Sequence, residues 1–256
     1  MTASHLIPRL YMSQNFRSGG IVNATADQFH YLTNVMRLKE DGRVRLFNGR
    51  DGEWRGAIAG QQGKGAKQSV TIKVIEQIRH QSAEPDLWLC CAPIKKAHFD
   101  FMIEKATELG TRRVQPILTQ HTQVREVNVE RCRSIAIEAA EQSERLSVPE
   151  IKKPVTLDKL IEDWPKDRAM IVCAEHGVAT PVKEAFALKR LKAAPAGIIT
   201  GPEGGFTKEE LDQLHAIEGA IFVRLGPRIL RADTAAIAAI SCWQTLCGDW
   251  SENLST

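Results

Sequence analysis

The amino-acid sequence predicts an α/β protein in which a small β-barrel precedes a larger domain built on a parallel sheet. Before residue 80, short β-type segments alternate with turn residues. After residue 86, runs that are apolar throughout alternate with amphipathic helical segments, which is typical of a parallel sheet covered on both faces. The polar stretch 82–86 separates the two patterns, so we predict domains of residues 1–80 and 81–256.

In the first domain, β-type segments and turn dipeptides predict the barrel. Asn48-Gly49 and Asp51-Gly52 are dipeptides of the kind that close β-hairpins. Apolar side chains at helical spacing over residues 26–38 predict one short helix against the barrel. The predicted strands are residues 9–12, 43–47, 54–59 and 69–78.

In the second domain, apolar runs predict strands at residues 87–92, 114–118, 170–174, 197–200 and 221–225. A helix over residues 99–109 presents one apolar side and ends at Gly110. Further helices are predicted over residues 208–214 and 234–246, the first opened by a capping box in which Thr207 and Glu210 are the partners. For the second, Asp233 or Thr234 is the predicted cap.

Charge is distributed unevenly along the chain. Residues 1–80 hold twelve Lys and Arg against six Asp and Glu, a surplus of +6; because the whole chain carries +3, residues 81–256 carry −3. A basic small domain suits contact with an anionic polymer such as RNA.

The six cysteines form no C-x-x-C pair, which indicates reduced, mostly buried thiols rather than a metal site. No apolar run has membrane-spanning length and the first residues lack a secretion signal, so we expect a cytoplasmic protein with no membrane partner.

Two glycine loops follow predicted strands. The first is GPEGG at 201–205, and the second lies in LGPRILRADTA at 225–235, before the helix over residues 234–246. Glycine permits close backbone approach to a ligand, and the carboxyl ends of parallel strands are where open α/β sheets bind ligands. We therefore predict a shared pocket. A nucleotide triphosphatase loop, a dinucleotide-binding fingerprint, metal signatures and G-x-S-x-G are missing from the sequence.

These two motifs resemble the C-terminal motifs of the SPOUT RNA methyltransferases, in particular the family that methylates N3 of a uridine in small-subunit (16S) ribosomal RNA. The resemblance covers nearly the whole chain and includes Pro8-Arg9, residues 34–38 and 47–49, Lys95-Lys96, and residues 104–110 and 138–149. One departure is Ala232-Asp233, where the family often has Thr-Glu, so the carboxylate here is one methylene shorter.

The resemblance implies a PUA-like RNA-binding barrel and a trefoil-knotted α/β domain that forms a homodimer. It also implies S-adenosylmethionine as cofactor, bound by Ala174, Glu175, Thr200, Gly201, Gly205, Leu225, Gly226, Ile229 and Leu230. The helix over residues 234–246 is apolar on more than one side, which favours its place in or near the dimer interface.

Methylation at N3 requires a nucleophilic nitrogen, and N3 of neutral uracil carries a proton. A guanidinium from Arg228 or Arg231 would stabilise the charge that deprotonation places on the uracil oxygens, and Asp233 or Glu203 would accept the proton. Phosphate contacts are expected from Arg9, Arg17 and Arg37 in the barrel, and RNA contacts also from Lys95 and Lys96.

Two other functions remain open from the sequence. A SPOUT ribose 2′-O-methyltransferase acting on ribosomal or transfer RNA would use the same pocket. A ribosome-assembly factor that binds RNA without catalysis is a non-enzymatic alternative, although both pocket loops retain their glycines.

Overall fold

The computed structural model describes residues 7–62, 69–174, 178–192 and 194–251. The chain divides into two compact units. The first comprises Met1–Ala83 together with Ala140–Val148, and the second comprises Glu84–Ala139 together with Pro149–Thr256. The boundary therefore lies three residues beyond the predicted one, and the first unit includes a segment that the sequence pattern assigned to the second.

In its described part, the first unit contains a five-stranded sheet in the order β1-β3-β4-β5-β2. Its strands are β1 (Arg9–Tyr11), β2 (Ile21–Asn23), β3 (Arg43–Phe47), β4 (Glu53–Gln62) and β5 (Ser69–Arg79). The pairs β3-β4, β4-β5 and β5-β2 are antiparallel, whereas β1 pairs in parallel with β3. The four predicted strands are present; β2 is an addition of three residues with a single buried side chain.

The helix predicted over residues 26–38 is shorter and irregular. It consists of α1 (Ala26–His30), which begins with a capping box between Thr25 and Gln28, followed by a π-helical segment at Tyr31–Val35. The π-helical segment includes Leu32, which is completely buried in the core of this unit. That core also contains Leu10, Met12, Val22, Val44, Leu46, Ile58, Val70, Ile72 and Val74.

The second unit is built on a sheet in the order β11-β13-β10-β12-β6-β7-β8, with β9 paired to β7, and every pairing is parallel. Its long strands confirm the five predicted runs, each bound differing by at most one residue. The strands are β6 (Leu87–Cys91), β7 (Arg113–Leu118), β8 (Glu150–Ile151), β9 (Val155–Thr156), β10 (Ala169–Cys173), β11 (Thr180–Pro181), β12 (Ala196–Thr200) and β13 (Ile221–Arg224).

The helices of the second unit are α2 (Lys96–Glu108), α3 (Val129–Gln142), α4 (Leu157–Glu162), α5 (Val182–Phe186), α6 (Lys208–His215) and α7 (Ala232–Leu246), where α3 continues into the segment that belongs to the first unit. Gly110 has a φ of +83° just beyond α2, which explains why that helix ends there. The capping box between Thr207 and Glu210 at the start of α6 is present as predicted.

The predicted cap of α7 is wrong by two or three residues. Arg231 occupies the N-cap position without a side-chain cap, and both Asp233 and Thr234 lie inside the first turn. Asp233 is instead a buried side chain whose oxygens have other partners. Within the described ranges, no helix combines the length and the apolar character needed to cross a bilayer.

Candidate active site

The sheet order places three strand ends side by side. Strand β10 lies between β12 and β13, and all three run in the same direction. The segments that follow them, Ala174 after β10, residues 201–205 after β12 and residues 225–230 after β13, therefore meet at one edge of the sheet. They enclose a cavity of about 520 Å³.

The lining of this first cavity suits a ligand with an apolar part that contacts side chains and a polar part that forms hydrogen bonds with backbone groups. Leu225, Ile229 and Leu230 offer apolar surface from the second glycine loop. Apart from its own chain neighbours, a Cβ atom at Gly205 (φ +66°) or Gly226 (φ +143°) would meet no atom of the described residues within 4 Å, so both glycines border open space. Thr200 Oγ1 is buried and forms no hydrogen bond within the described part of the chain, which leaves a polar atom for a ligand at the base of the cavity.

The first glycine loop is held in place by contacts of His121 and Glu210 that the sequence did not predict. His121 Nδ1 donates to the carbonyl oxygen of Gly204 at 2.8 Å. On the adjoining helix, Glu210 Oε1 accepts from the backbone N–H of Gln120 at 2.8 Å, while its other oxygen accepts from Thr207 N–H. The segment after β7 thus positions the loop after β12. His121 belongs to no sequence motif, so nothing in the sequence indicates that it holds this loop.

A second cavity of about 360 Å³ adjoins the first and shares Glu203 and Ala232 with it. Most of its lining residues are charged or polar: besides Ile94 and Ala232, they are Lys95, His98, Glu203, Arg231 and Asp233. The two cavities thus differ in chemistry, one with apolar side chains and loop backbone, the other with mixed charges.

Asp233 is the most restrained of these charged groups. Its Oδ2 lies 2.8 Å from His98 Nδ1, and its Oδ1 accepts from the backbone N–H of Thr234 at 2.7 Å and from the Thr234 hydroxyl at 3.3 Å. Partial burial raises the pKa of Asp233, but the hydrogen bonds from His98 and Thr234 outweigh it and hold this pKa below its usual value. His98 lies in the first turns of α2 and was not predicted as a site residue.

The predicted site residues of the second unit are distributed over the two cavities. The first is lined by Ala174, Thr200, Gly201, Gly205, Leu225, Gly226, Ile229, Leu230 and Arg228. The second is lined by Lys95, Arg231 and Asp233, and Glu203 borders both. Lys96 is exposed at the start of α2 but does not line either cavity, and Glu175 lies outside the described residues.

Among the arginines predicted to contact phosphates, Arg17 and Arg37 are exposed and Arg9 is not. Arg9 is only 5% exposed and pairs with the buried carboxylate of Glu53. Its Nη1 also donates to the carbonyl oxygen of Ala140 at 2.6 Å. The prediction for Arg9 is therefore wrong, because its guanidinium is already paired inside the first unit and does not reach the surface.

Comparison with known proteins identifies the family. Residues 81–244 match the model of an RNA methyltransferase domain, and residues 24–71 match that of an RNA methyltransferase PUA domain. The Ribosomal RNA small subunit methyltransferase E of Rickettsia conorii is 34% identical over 238 residues, which cover 91% of this chain and 93% of that protein. The protein of the same name from Synechocystis is 32% identical over 223 residues, covering 86% of this chain and 71% of that one.

Solved structures of methyltransferases also match this chain over nearly its whole length. The Ribosomal RNA small subunit methyltransferase E of Neisseria gonorrhoeae, bound to S-adenosyl methionine, superposes with a TM-score of 0.82 at 26% identity and covers 96% of this chain and 100% of that one. A Legionella pneumophila protein solved with the bound cofactor SAM gives a TM-score of 0.84 at 26% identity, covering 95% and 99%. The family model spans well over half of the chain, so this chain belongs to the RNA methyltransferase family and carries that family's methyltransferase domain at residues 81–244 after an RNA methyltransferase PUA domain at residues 24–71.

Proposed function

We propose that this protein transfers a methyl group from S-adenosylmethionine to N3 of a uridine in small-subunit ribosomal RNA. The observation that carries the proposal is the pair of adjoining cavities in a chain of this family. One cavity has the apolar walls and backbone groups that suit a cofactor, and the other has the charged groups that a proton transfer needs. The named relatives support the ribosomal substrate.

The first cavity fits S-adenosylmethionine. Leu225, Ile229 and Leu230 would contact the flat adenine ring, and Thr200 Oγ1 would find a polar partner in the ligand. The backbone of the two glycine loops would surround the remainder. When bound, the cofactor supplies a methyl group that its positive sulfur has already activated. The protein therefore has to orient the uridine and remove the proton from N3.

The second cavity is the site we propose for the uracil ring. Deprotonation of N3 spreads negative charge onto O2 and O4, and Arg231 in this cavity or Arg228 at the first would stabilise that charge. Asp233 and Glu203 are the carboxylates at the same place. The uridine has to expose its Watson–Crick edge, so the substrate is an unpaired nucleotide or one that opens on binding.

We also propose which residues contact the RNA backbone and which assembly is active. Arg17 and Arg37 of the first unit and Lys95 and Lys96 of the second would contact the RNA backbone. The active form would be a homodimer of chains with a trefoil-knotted second unit, working in the cytoplasm on ribosomal RNA or on the assembled small subunit.

The test uses the purified protein, S-adenosylmethionine with a labelled methyl group, and small ribosomal subunits from cells that lack the protein. Digestion to nucleosides and mass spectrometry should yield labelled 3-methyluridine. Label on a ribose 2′-oxygen would instead establish the alternative methyltransferase. RNA binding without any methylated nucleoside, and without cofactor binding in calorimetry, would establish a non-catalytic assembly factor.

A further inference from the structure

We propose that His98 is the base that removes the N3 proton of the uridine and that Asp233 positions it. The inference rests on the methyltransferase function proposed above. It assigns a catalytic role to a residue of α2 that lies 135 positions before its partner in the sequence. The proton acceptor would then be an imidazole rather than either carboxylate of the second cavity.

The hydrogen bond between the two residues determines which imidazole nitrogen is available. His98 Nδ1 lies 2.8 Å from Asp233 Oδ2, and an ionised carboxylate only accepts hydrogen bonds. Nδ1 must therefore carry the hydrogen, and in the neutral ring Nε2 keeps its lone pair. The described residues provide Nε2 with no hydrogen-bond partner. The geometry thus aims the Nε2 lone pair of the ring away from the carboxylate, and the carboxylate both orients the imidazole and would stabilise the imidazolium formed when Nε2 takes a proton.

The surroundings of His98 suit proton transfer. Its side chain is 46% exposed while that of Asp233 is 11% exposed, so the imidazole borders both the cavity and water and the carboxylate is the enclosed partner. The other charged groups that line the cavity with the pair are Lys95, Glu203 and Arg231. Two of these three are cationic, an arrangement that favours a uracil carrying negative charge over a neutral one.

Asp233 is poorly suited to take the proton itself. Both of its oxygens already accept hydrogen bonds, from His98 on one side and from the N–H and hydroxyl of Thr234 on the other. These bonds favour the ionised form, which is the form that orients an imidazole. Glu203, exposed on its loop and shared by both cavities, is the competing acceptor that an experiment has to separate from His98.

The proposed step is a single proton transfer. The N3–H bond of uracil breaks, an Nε2–H bond forms on His98, and the electron pair left on N3 becomes available to bond the incoming methyl group. The imidazolium then releases its proton to water and regenerates the neutral base, so no other reactant is required.

Kinetics of three variants test the assignment. His98→Gln should lower kcat by ~10²–10⁴-fold, the range that general-base catalysis contributes, with little change in the KM for the ribosomal subunit. The pH–rate profile of the unmodified protein should have an acidic limb, as general-base catalysis produces, and the His98→Gln profile should lose this acidic limb. Asp233→Asn should lower kcat without removing the limb, because the imidazole remains. Glu203→Gln should keep the limb.

Nuclear magnetic resonance gives a readout that does not depend on turnover. In protein saturated with S-adenosylhomocysteine, the imidazole nitrogens of His98 should report the Nδ1–H form, and Asp233→Asn should shift the ring toward a mixture of both forms. Uridine 5′-monophosphate should perturb the His98 signals. The exposed His80 of the first unit should not respond, and His80→Gln should leave kcat unchanged.

The outcomes separate this inference from the function on which it rests. If the unmodified protein forms no methylated uridine, the proposed function fails. If it forms 3-methyluridine while His98→Gln retains the full rate and the acidic limb, the role of His98 is refuted. If Glu203→Gln loses the acidic limb of the pH–rate profile and His98→Gln keeps it, the role of His98 is also refuted, and Glu203 is the base.

Discussion

Arg9 and Glu53 form an ion pair in which the two side chains are 3% and 0% exposed, with the guanidinium Nε donating to a carboxylate oxygen of Glu53. The same guanidinium lies 4.0 Å above the ring of Phe47 and donates to the carbonyl oxygens of Ala140 and Arg145. Arg9 therefore joins β1 and β4 to residues 140–148 within the first unit.

Loss of Arg9 should strongly destabilise the first unit. Arg9→Met would leave the carboxylate of Glu53 buried without its main partner, since Arg45 and Arg79 lie farther away, at 3.8 and 3.5 Å. We expect the free energy of unfolding, measured with urea, to fall by about 3–5 kcal/mol. Arg17→Met, which removes an exposed arginine, should leave it nearly unchanged. Equal stability of the two variants would contradict this account of Arg9.

Exposed arginines of the first unit should carry part of the affinity for RNA. Arg17→Glu combined with Arg37→Glu should weaken RNA binding and flatten its dependence on salt, because each lost phosphate contact reduces counterion release. Fluorescence anisotropy at several salt concentrations measures both quantities. S-adenosylmethionine affinity should stay the same.

A matched control separates this effect from a general loss of positive charge. Lys166→Glu combined with Lys189→Glu makes the same change in net charge on exposed residues of the second unit. If both double variants weaken RNA binding equally, the first unit has no special part in holding RNA.

In the second unit, the strands that the sequence predicted well are those with a long apolar run. Most side chains of the five principal strands of the second unit are buried, and each apolar run is ended by a polar residue, glycine or proline, so composition alone bounds them. Strands β2, β8, β9 and β11 contain only two or three residues. Segments this short are too short to show an alternation of apolar and polar residues. They form strands because the backbone of a neighbouring strand is available for hydrogen bonds.

The site was predictable in part for a similar reason. Both glycine loops follow strands of one sheet, so their meeting at one edge follows from topology. The contact between His98 and Asp233 joins two helices, and their relative rotation depends on packing that no local pattern reveals. The prediction that Arg9 lies on the surface was wrong because the sequence shows that a residue is charged but not whether it is buried. Its partner Glu53 is 44 positions away, so no local pattern indicates the ion pair.

Gly226 should be required for cofactor binding. Its φ of +143° is unfavourable for any other residue, and a side chain there would project into open space at the first cavity. Gly226→Val should weaken S-adenosylmethionine binding at least about tenfold, or ~1.4 kcal/mol, by calorimetry. Gly219→Val is the matched control, because Gly219 also has a positive φ (+80°) but does not line the cavity. Unchanged affinity in a folded Gly226→Val protein would refute the cavity assignment.

Asp233 should stabilise the fold in a pH-dependent way. Its pKa in the folded protein is held below the unfolded value of about 3.9, so the ionised carboxylate stabilises the fold at neutral pH, and this contribution is lost as the pH falls through the folded pKa. Asp233→Asn should therefore lower the Tm at pH 7, and the difference from the unmodified protein should shrink as the pH approaches 3. The exposed Asp212→Asn should produce no such difference. A constant Tm difference across this range would contradict the effect.

Helix α7 should form part of a homodimer interface. One side of it is buried within its own unit through Ala236, Ala239, Ile240 and Trp243. Another side, with Ala235, Ala238, Cys242 and Leu246, stays partly exposed, and α2, which packs on α7, adds Phe101 at 45% exposure. Apolar surface on two neighbouring helices favours a protein partner, and the small alanines allow a helix to approach closely.

Light scattering over a dilution series, combined with activity measurements, tests this interface. The unmodified protein should be a dimer that loses activity as it dissociates. Ala238→Glu should shift it toward a monomer with lower activity, since a buried carboxylate without a partner is costly. Leu188→Glu places the same charge at another exposed apolar residue of the second unit and should leave the dimer intact. Because the proposed active form needs two copies, a monomer that keeps full methyltransferase activity at every concentration would refute both the dimer and any sharing of its site.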